Sequence, residues 1–468
     1  MSSVFKTKPV ETLIAETQGK QGLKKALSAF DLTLLGIGAL IGTGIFVLTG
    51  TAAAEHSGPG LMLSFILSGL ACLFASLCYS EFASVVPVAG SAYTYSYAAL
   101  GEVWAWIIGW DLILEYTVSL AAVSIGWSGY AVSILDSLGI HLPQAITASP
   151  GAGGVINLPA IVIVAFVAWL LISGVEQTSR FNGIIVFIKL AVIALFIVLA
   201  VWHVKPANWH PFMPFGFSGV VGGAAVVFFA YLGFDAVSTA AEETKNPQKD
   251  LPKGIMFSLL IVTVLYVGVS AILTGVVKYT QLDVPAPVAF ALQQIGINWG
   301  SALVSVGAIC GITSVILVIM YGQTRIFFAM ARDGLIPKSF GKVSDRHKTP
   351  VGSTVIVGIV VMILAGFLPI GIVAELANIG TLFAFIIVSI GIWVLRVRKP
   401  NLERPFKTPL VPLVPILAVL SCGYLIIHLQ WETLLRFVVW FLIGMIVYFT
   451  YSRHHSALTS ESATEKSS

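Results

Sequence analysis

The 468-residue chain is short of charge: Asp, Glu, Lys and Arg make up 10% of it and hydrophobic residues 57%, where a typical soluble domain carries about 25% charged residues. A water-soluble globular protein is thereby excluded. Cysteine is scarce too. Cys72, Cys78, Cys310 and Cys422 all fall in apolar runs with no Cys-x-x-Cys pair, so neither a disulfide framework nor a zinc site is expected. The eight histidines are scattered, mostly in loops and near the ends of apolar runs, a pattern that argues against a metal centre or haem. The charged stretch RIFFAMARDGLIPKSFGKVSDRHKTP (325–350) has no glycine-rich phosphate cradle and no set of acidic metal ligands, which excludes an ATPase site.

What the chain has is a series of apolar runs, each about 20 residues long, the length that crosses a hydrocarbon core about 30 Å thick. Twelve are expected: 30–54, 60–86, 101–131, 155–173, 180–202, 217–241, 254–277, 300–328, 350–368, 371–396, 409–428 and 432–451. They show no period-two alternation, so a β-barrel is not expected and the fold class is an all-α integral membrane protein. The extramembrane pieces are too short to bury a core of their own. A single transmembrane domain is expected at 30–451, between a polar arm at 1–29, without the features of a cleavable signal peptide, and a polar tail at 452–468 read as disordered.

With the N-terminus placed in the cytoplasm, 22 of the 26 lysines and arginines fall on the cytoplasmic side. Such a bias orients the chain as a multi-pass protein with both termini cytoplasmic. The formal charge of +4 then reports membrane orientation, and no nucleic-acid partner is implied.

Span 1 contains GIGALIGTGIF (36–46). Glycine in a helix interior costs roughly 0.5–1 kcal/mol relative to alanine, so a segment meant only to cross a bilayer is better built from leucine. Span 6 carries a matching interruption at FFAYLGFDAV (228–237). The two begin two sets of five spans, 30–202 and 217–396, and an odd number per set forces the second to run inverted; the spans at 409–451 are additional. Paired interrupted helices in two inverted halves point to a transporter's binding site.

A broken helix presents N–H groups at the start of its second half and C=O groups at the end of its first, which is tolerable where they line a cavity. The N–H groups at Gly42, Thr43 and Gly44 suit a carboxylate, with Ile41 counted among the substrate-binding positions. The freed carbonyls near Leu40, and at Phe228, Phe229 and Leu232, suit an ammonium. A ligand carrying both on one carbon is an amino acid. Close helix packing through small residues is the competing explanation of the glycines; it does not require a matching break in span 6.

GIGALIGTGIF, FNGIIVFIKLAVIALFI, FFAYLGFDAVSTAAEETKNPQKDLPKGI, AMARDGLIP and IGTLFAFIIVSIGIWVLRVRKP followed by RPFKTP together resemble the amino acid–polyamine–organocation superfamily, and most nearly its cationic amino acid transporter branch. The resemblance covers roughly residues 25 to 450. It implies five spans plus an inverted five with two appended, alternating access around spans 1 and 6, and amino acid transport. Carried over to these positions, it makes the Gly42-Thr43-Gly44 amides the carboxylate cradle and the backbone at Leu40, Phe229 and Leu232 the amine site, with Phe229 as an aromatic gate. Animal members of the cationic branch have fourteen spans where twelve are expected here, which leaves the substrate open.

Charged residues inside the spans are the remaining signals. Lys189 lies near the middle of span 5, where a charge costs at least about 2.5–3.5 kcal/mol. Burial penalises the charged form of an amine, so its proton is exchangeable and Lys189 is a proton-coupling candidate; the resemblance implies the same, by reach towards broken span 1. The alternatives are a permanently charged strut, and sodium coupling through the hydroxyls of Thr313 and Ser314. Glu115 in span 3 and Asp235 after the break in span 6 are candidates for gating or selectivity, Asp235 by accepting the loosened N–H groups. Thr313, Leu317 and Met320 share a stripe of span 8 which, facing the pocket, favours small neutral amino acids over arginine; packed core is the equal alternative. Tyr266 in span 7 is a candidate outer gate.

The function expected is secondary active import of L-amino acids, small neutral or cationic, with protons; a sodium-coupled symporter, an amino acid exchanger and an amino acid-binding sensor are the alternatives. The driving force is a proton gradient and no cofactor is needed. The partners are an L-amino acid and the lipid bilayer of a bacterial plasma membrane; whether a small membrane subunit or a second copy joins them is not readable. A membrane enzyme would cluster His, Asp or Glu near an interface, a sensor would add a signalling domain, and a channel would need a continuous polar lining. None of these is seen.

Overall fold

The computed structural model describes residues 7–8, 27–88, 91–173, 179–241, 244–342 and 350–456. Most of the arm 1–29 and the tail from 457 lie outside the described residues. Those described are nearly all helical, and they contain no β-strand. Seven helical stretches are long and apolar enough to cross a membrane: Gly44–Val85, Glu102–Ser137, Gly183–His203, Pro247–Val276, Asn298–Arg332, Ile370–Arg398 and Trp431–His455. Five shorter apolar helices accompany them, Ala29–Leu40, Leu158–Ile172, Gly216–Tyr231, Val351–Phe367 and Leu413–Ile426. Helix occupies part of each of the twelve expected segments.

In chain order, α1 is Ala29–Leu40 and α2 the helical run 44–57, whose turns alternate between π and α geometry. Helix α3 is Leu61–Val85, α4 the short Ser91–Ala99, α5 Glu102–Ser137, α6 Leu158–Ile172 and α7 Ser179–Ala200. Helix α8 is Gly216–Val227, continued by a 3₁₀ turn at Phe228–Tyr231, and α9 the single turn Ala236–Thr239. Then come α10 (Pro247–Val276), the short α11 (Pro287–Gln294), α12 (Asn298–Arg332), α13 (Val351–Phe367), α14 (Ile370–Arg398), α15 (Leu413–Ile426) and α16 (Trp431–Val447).

Local sequence sets several of these ends. Ser28 and Asp31 form a capping box, with the Ser28 N–H donating to Asp31 Oδ2 at 2.9 Å and the Asp31 N–H to Ser28 Oγ, so two of the orphan donors at the start of α1 are satisfied. Asn157 caps α6 through the Ala160 N–H, and proline follows in its first turn. Apolar side chains stand exposed along α7, α10, α13 and α16, among them Phe187, Leu260, Val264, Ile363, Leu442 and Ile446, as helices bathed in lipid require.

The packing has a regular pattern. Helix α5 lies against α12, α3 against α10 and α6 against α13. The α1–α10 contact is matched by α8–α3, α7–α12 by α14–α5, and α1–α7 by α8–α14. The short helix α4 precedes α5 and packs on it and on α14; the short helix α11 precedes α12 and packs on it and on α7. Described residues from the two terminal segments meet neighbouring parts of the bundle, Lys8 at Tyr97 and Asp333 and Ser456 at Glu102. Residues Arg453–His455 remain helical, and the Ser452 hydroxyl donates to the Leu335 carbonyl at 2.7 Å, so the start of the expected disordered tail is ordered.

Candidate functional site

Helix α1 ends where Ile41 turns to an extended conformation (φ −76°, ψ 100°), its N–H closing the last bond to Ile37 at 3.0 Å. The chain returns to helix at Thr43, and the Phe46 N–H reaches the Gly42 carbonyl at 3.3 Å. The amides of Gly42, Thr43 and Gly44 therefore stand at the open end of a helix, where no intrahelical partner exists for them. The Thr43 hydroxyl is directed to the Val123 carbonyl of α5, which leaves its amide as the group at the break. In the second broken helix the 3₁₀ turn Phe228–Tyr231 ends in extended Leu232 (ψ 133°) and Gly233 with φ 109°. Both interruptions read from the sequence are present.

The two breaks touch. A Cβ built on Gly44 would lie 2.3 Å from the Ala230 Cα and 2.7 Å from its nitrogen, so only glycine lets the backbones come this close. Tyr266 of α10 ties them together: its hydroxyl sits 2.7 Å from the Leu40 carbonyl and 2.9 Å from that of Ala230. Tyr266 is fully buried, and the structure places it as a bridge between the breaks where an outer gate was expected. It also engages the Leu40 carbonyl assigned to an ammonium, and the Phe229 carbonyl already takes the Leu232 N–H at 3.2 Å. Phe228 and Phe229 are buried, with Phe228 edge-on to Phe385.

Lys189 is fully buried, and its Nζ donates to the Gly38 carbonyl of α1 at 2.7 Å. Reach towards broken span 1 is what the sequence led one to expect. Room for the side chain comes from Gly311 of α12, where an added Cβ would lie 2.9 Å from Cγ and Cε of the lysine.

The α12 stripe is packed into the bundle. Thr313 turns to α5, accepting from Trp127 Nε1 at 2.9 Å and donating to the Ile309 carbonyl, while the Ser314 hydroxyl donates to Gly311. Leu317 and Met320 are buried. On α12, Gly311 lies against Lys189 and Val315 lies against Gly42 of the first break. These two are four apart, one helical turn, but nothing in their types separates them from the neighbouring stripe.

Asp235 makes no side-chain capping bond to the helix it precedes, and its Oδ2 accepts from the Ser91 hydroxyl of α4 at 3.3 Å. Glu115 is buried within electrostatic reach of Asp235 and beside Thr381 of α14, whose hydroxyl donates to the Ala377 carbonyl at 3.1 Å. Asp111, one turn before Glu115, is buried with neither carboxylate oxygen hydrogen-bonded. The two halves of the molecule thus share a cluster of carboxylates around α5.

Several functional contacts escaped sequence reasoning. Asn378 of α14 is fully buried and donates through Nδ2 to the Ala225 and Val226 carbonyls of α8, at 2.7 and 3.2 Å. Glu81 of α3 is buried between Arg396, which it binds bidentately at 2.9 and 2.6 Å, and Arg404 at 3.2 Å, and it accepts the Thr408 N–H at 2.8 Å. The RPFKTP stretch is thereby clamped to the end of α3. Near the ends of α4 and α12, Asp333 accepts from the Tyr93 hydroxyl at 2.6 Å and faces Lys8 at 3.6 Å. Glu102 accepts from Tyr97, Tyr448 and Ser456.

The amino acid permease family model matches residues 27–452. The chain belongs to the amino acid permease family, within the amino acid–polyamine–organocation superfamily. It is 56% identical to the branched-chain amino acid permease BcaP of Bacillus subtilis (strain 168), over 97% of this chain and 99% of that protein. It is 52% identical to the methylthioribose transporter of the same organism, over 98% of this chain and all of that protein. Cationic amino acid transporter 4, vacuolar, of Arabidopsis thaliana is 38% identical over 86% of this chain and 68% of its own length. These relatives are permeases and transporters, and this permease is not an enzyme.

Proposed function

We propose that this permease is a proton-coupled symporter that imports neutral L-amino acids by alternating access. The observation that carries the reading is the meeting of the two breaks: Gly44 against Ala230, with the open amides of 42–44 at one end and Tyr266 holding carbonyls of both helices. Such an end suits a carboxylate. The twelve-span count and the inverted repeat are supported by the packing, because exchanging α1–α7 for α8–α14, short helices included, turns each matched contact described above into its counterpart. With the lysine and arginine bias, both termini are cytoplasmic, and the bacterial relatives favour a plasma membrane.

Proton coupling is supported by Lys189, whose amine meets no carboxylate among the described residues and is set on the last turn of the half-helix that must move. The Thr313 hydroxyl oxygen is engaged as acceptor by Trp127 Nε1, and the lysine amine stands at the break where a sodium ion would compete with it. A neutral substrate is favoured by the apolar side chains at the break, Val315, Ala230 and Phe229, and a branched-chain one by the likeness to BcaP. The equally long likeness to a methylthioribose transporter gives a second reading, a neutral solute with no carboxylate.

Proteoliposomes with an inward proton gradient and no sodium decide between them. Uptake of labelled isoleucine, with competition by leucine and alanine and none by arginine or methylthioribose, is expected. Methylthioribose uptake that isoleucine does not inhibit would overturn the amino acid reading, and accumulation only with sodium would overturn proton coupling.

A further inference from the structure

Lys189 and Asn378 occupy related places. Each is a fully buried polar side chain on the last helix of its half, α7 or α14, and each donates to the first segment of the broken helix that begins that half. The acceptors are alike in kind. Gly38 lies in the last turn of α1, three residues before extended Ile41, and Ala225 and Val226 lie where α8 tightens into the 3₁₀ turn that ends at Leu232. The Gly38 carbonyl stands at the negative end of a helix dipole, and a carbonyl oxygen has two lone pairs, so the Val226 carbonyl accepts the side-chain amide while also facing the Phe228 N–H. The donors differ in one property: an amine exchanges its proton and an amide does not.

We infer that Asn378 is a positioning residue, the permanent counterpart of Lys189, which holds α8 to α14 through the transport cycle and so confines proton-dependent movement to α1. The orientation of its amide is fixed from the donor side. Nδ2 is engaged twice, while Oδ1 is buried without a partner. An acceptor at this position would face two carbonyl oxygens with no hydrogen between them. The brace stands on its geometry alone; its contrast with Lys189 rests on the proposed proton coupling.

Titratable groups approach α14 from every side, and Asn378 bonds to none of them. Asp111 and Glu115 of α5 lie beside Gly380 and Thr381, Glu375 bonds to Thr433 near Glu432 and Arg436, Glu81 of α3 holds Arg396, and Tyr79 of α3 packs on Phe385. Asp235 follows α8, Tyr95 lies on α4, and Cys422 of α15 is buried.

The test is substrate exchange in proteoliposomes at equal pH on both sides, where no proton gradient is needed, so a failure of proton coupling leaves the readout intact. Asn378→Asp is expected to exchange normally at pH 5.5, where the carboxylic acid can donate one hydrogen bond, and to fall at least tenfold relative to wild type by pH 8.5. Asn378→Leu, near in size and without a donor, is expected to be low throughout. A constant ratio of Asn378→Asp to wild type, or Asn378→Leu exchanging within twofold of wild type, would overturn the proposal. If these variants do not fold, spin labels replacing Phe217 and Gly371, with the four native cysteines removed, report on the intact brace. Their separation is expected to stay fixed on substrate addition while that between labels at Phe30 and Ile184 changes. A substrate-dependent change between 217 and 371 would also overturn it.

Discussion

Replacing Gly44 with alanine adds one methyl group at the point where the two broken helices touch. The new Cβ would lie 2.3 Å from the Ala230 Cα, 2.5 Å from its Cβ and 2.7 Å from its nitrogen, where ordinary contact begins near 3.4 Å. The two backbones must therefore part by about 1 Å, and two of the opposing atoms are main chain and cannot swing aside. Overpacking of this kind costs roughly 1–3 kcal/mol, which, if spent wholly on the binding-competent geometry, is about a 5- to 150-fold loss of affinity. The comparison variant is Gly42→Ala, whose Cβ would meet only a methyl of Val315 at 3.4 Å. Both should elute as monodisperse protein from a detergent column, and uptake of labelled isoleucine at sub-saturating concentration reads the difference: a large loss for Gly44→Ala and a small one for Gly42→Ala. Gly44→Ala within twofold of wild type, or Gly42→Ala the worse of the two, would refute the contact between the breaks as the determinant.

Three further outcomes follow from named contacts. Tyr266→Phe removes the hydroxyl shared by the Leu40 and Ala230 carbonyls; leaving buried acceptors unmet costs about 1–3 kcal/mol, so a fall in uptake larger than any fall in protein yield is expected, and unchanged uptake counts against the bridge. Glu81→Ala strands Arg396 and Arg404 at the end of α3; breaking a buried pair costs about 3–5 kcal/mol, and a thermal-shift assay in detergent should show a marked drop in Tm, whereas an unchanged Tm would mean the clamp contributes nothing. Gly311→Val fills the space beside Lys189 and should impair uptake while sparing Gly42, since Val315 is untouched; uptake equal to wild type would show that the lysine can be displaced without consequence.

The helices and both breaks were legible in the sequence because each rests on a local signal. Apolar length marks a span, glycines in a run that should avoid them mark the break at 36–46, and a lysine at mid-depth marks itself by its cost. The contacts that give those features their roles were not local. Tyr266 meets Leu40 across 226 residues and Glu81 meets Arg396 across 315, and nothing in an apolar run tells which of its tyrosines turns inward. Asn378 gave only the weak signal of an amide among apolar residues; its meaning appears when the second half is laid on the first and it falls beside the place of Lys189. The stripe Thr313, Leu317, Met320 shows the limit of spacing: periodicity fixes which residues share a face and not which face meets the site. RPFKTP was seen as a mark of kinship, and its physical work, an arginine and a backbone N–H offered to buried Glu81, needed the fold.

The central claim is that Lys189 couples the proton to movement of α1. The direct measurement is isoleucine accumulation in sodium-free proteoliposomes under an inward proton gradient, for wild type and for Lys189→Ala, with gradient-free isoleucine exchange measured on the same vesicles. Concentrative uptake by wild type, abolished in Lys189→Ala while exchange persists, is the predicted result. Concentrative, gradient-dependent uptake by Lys189→Ala would contradict it.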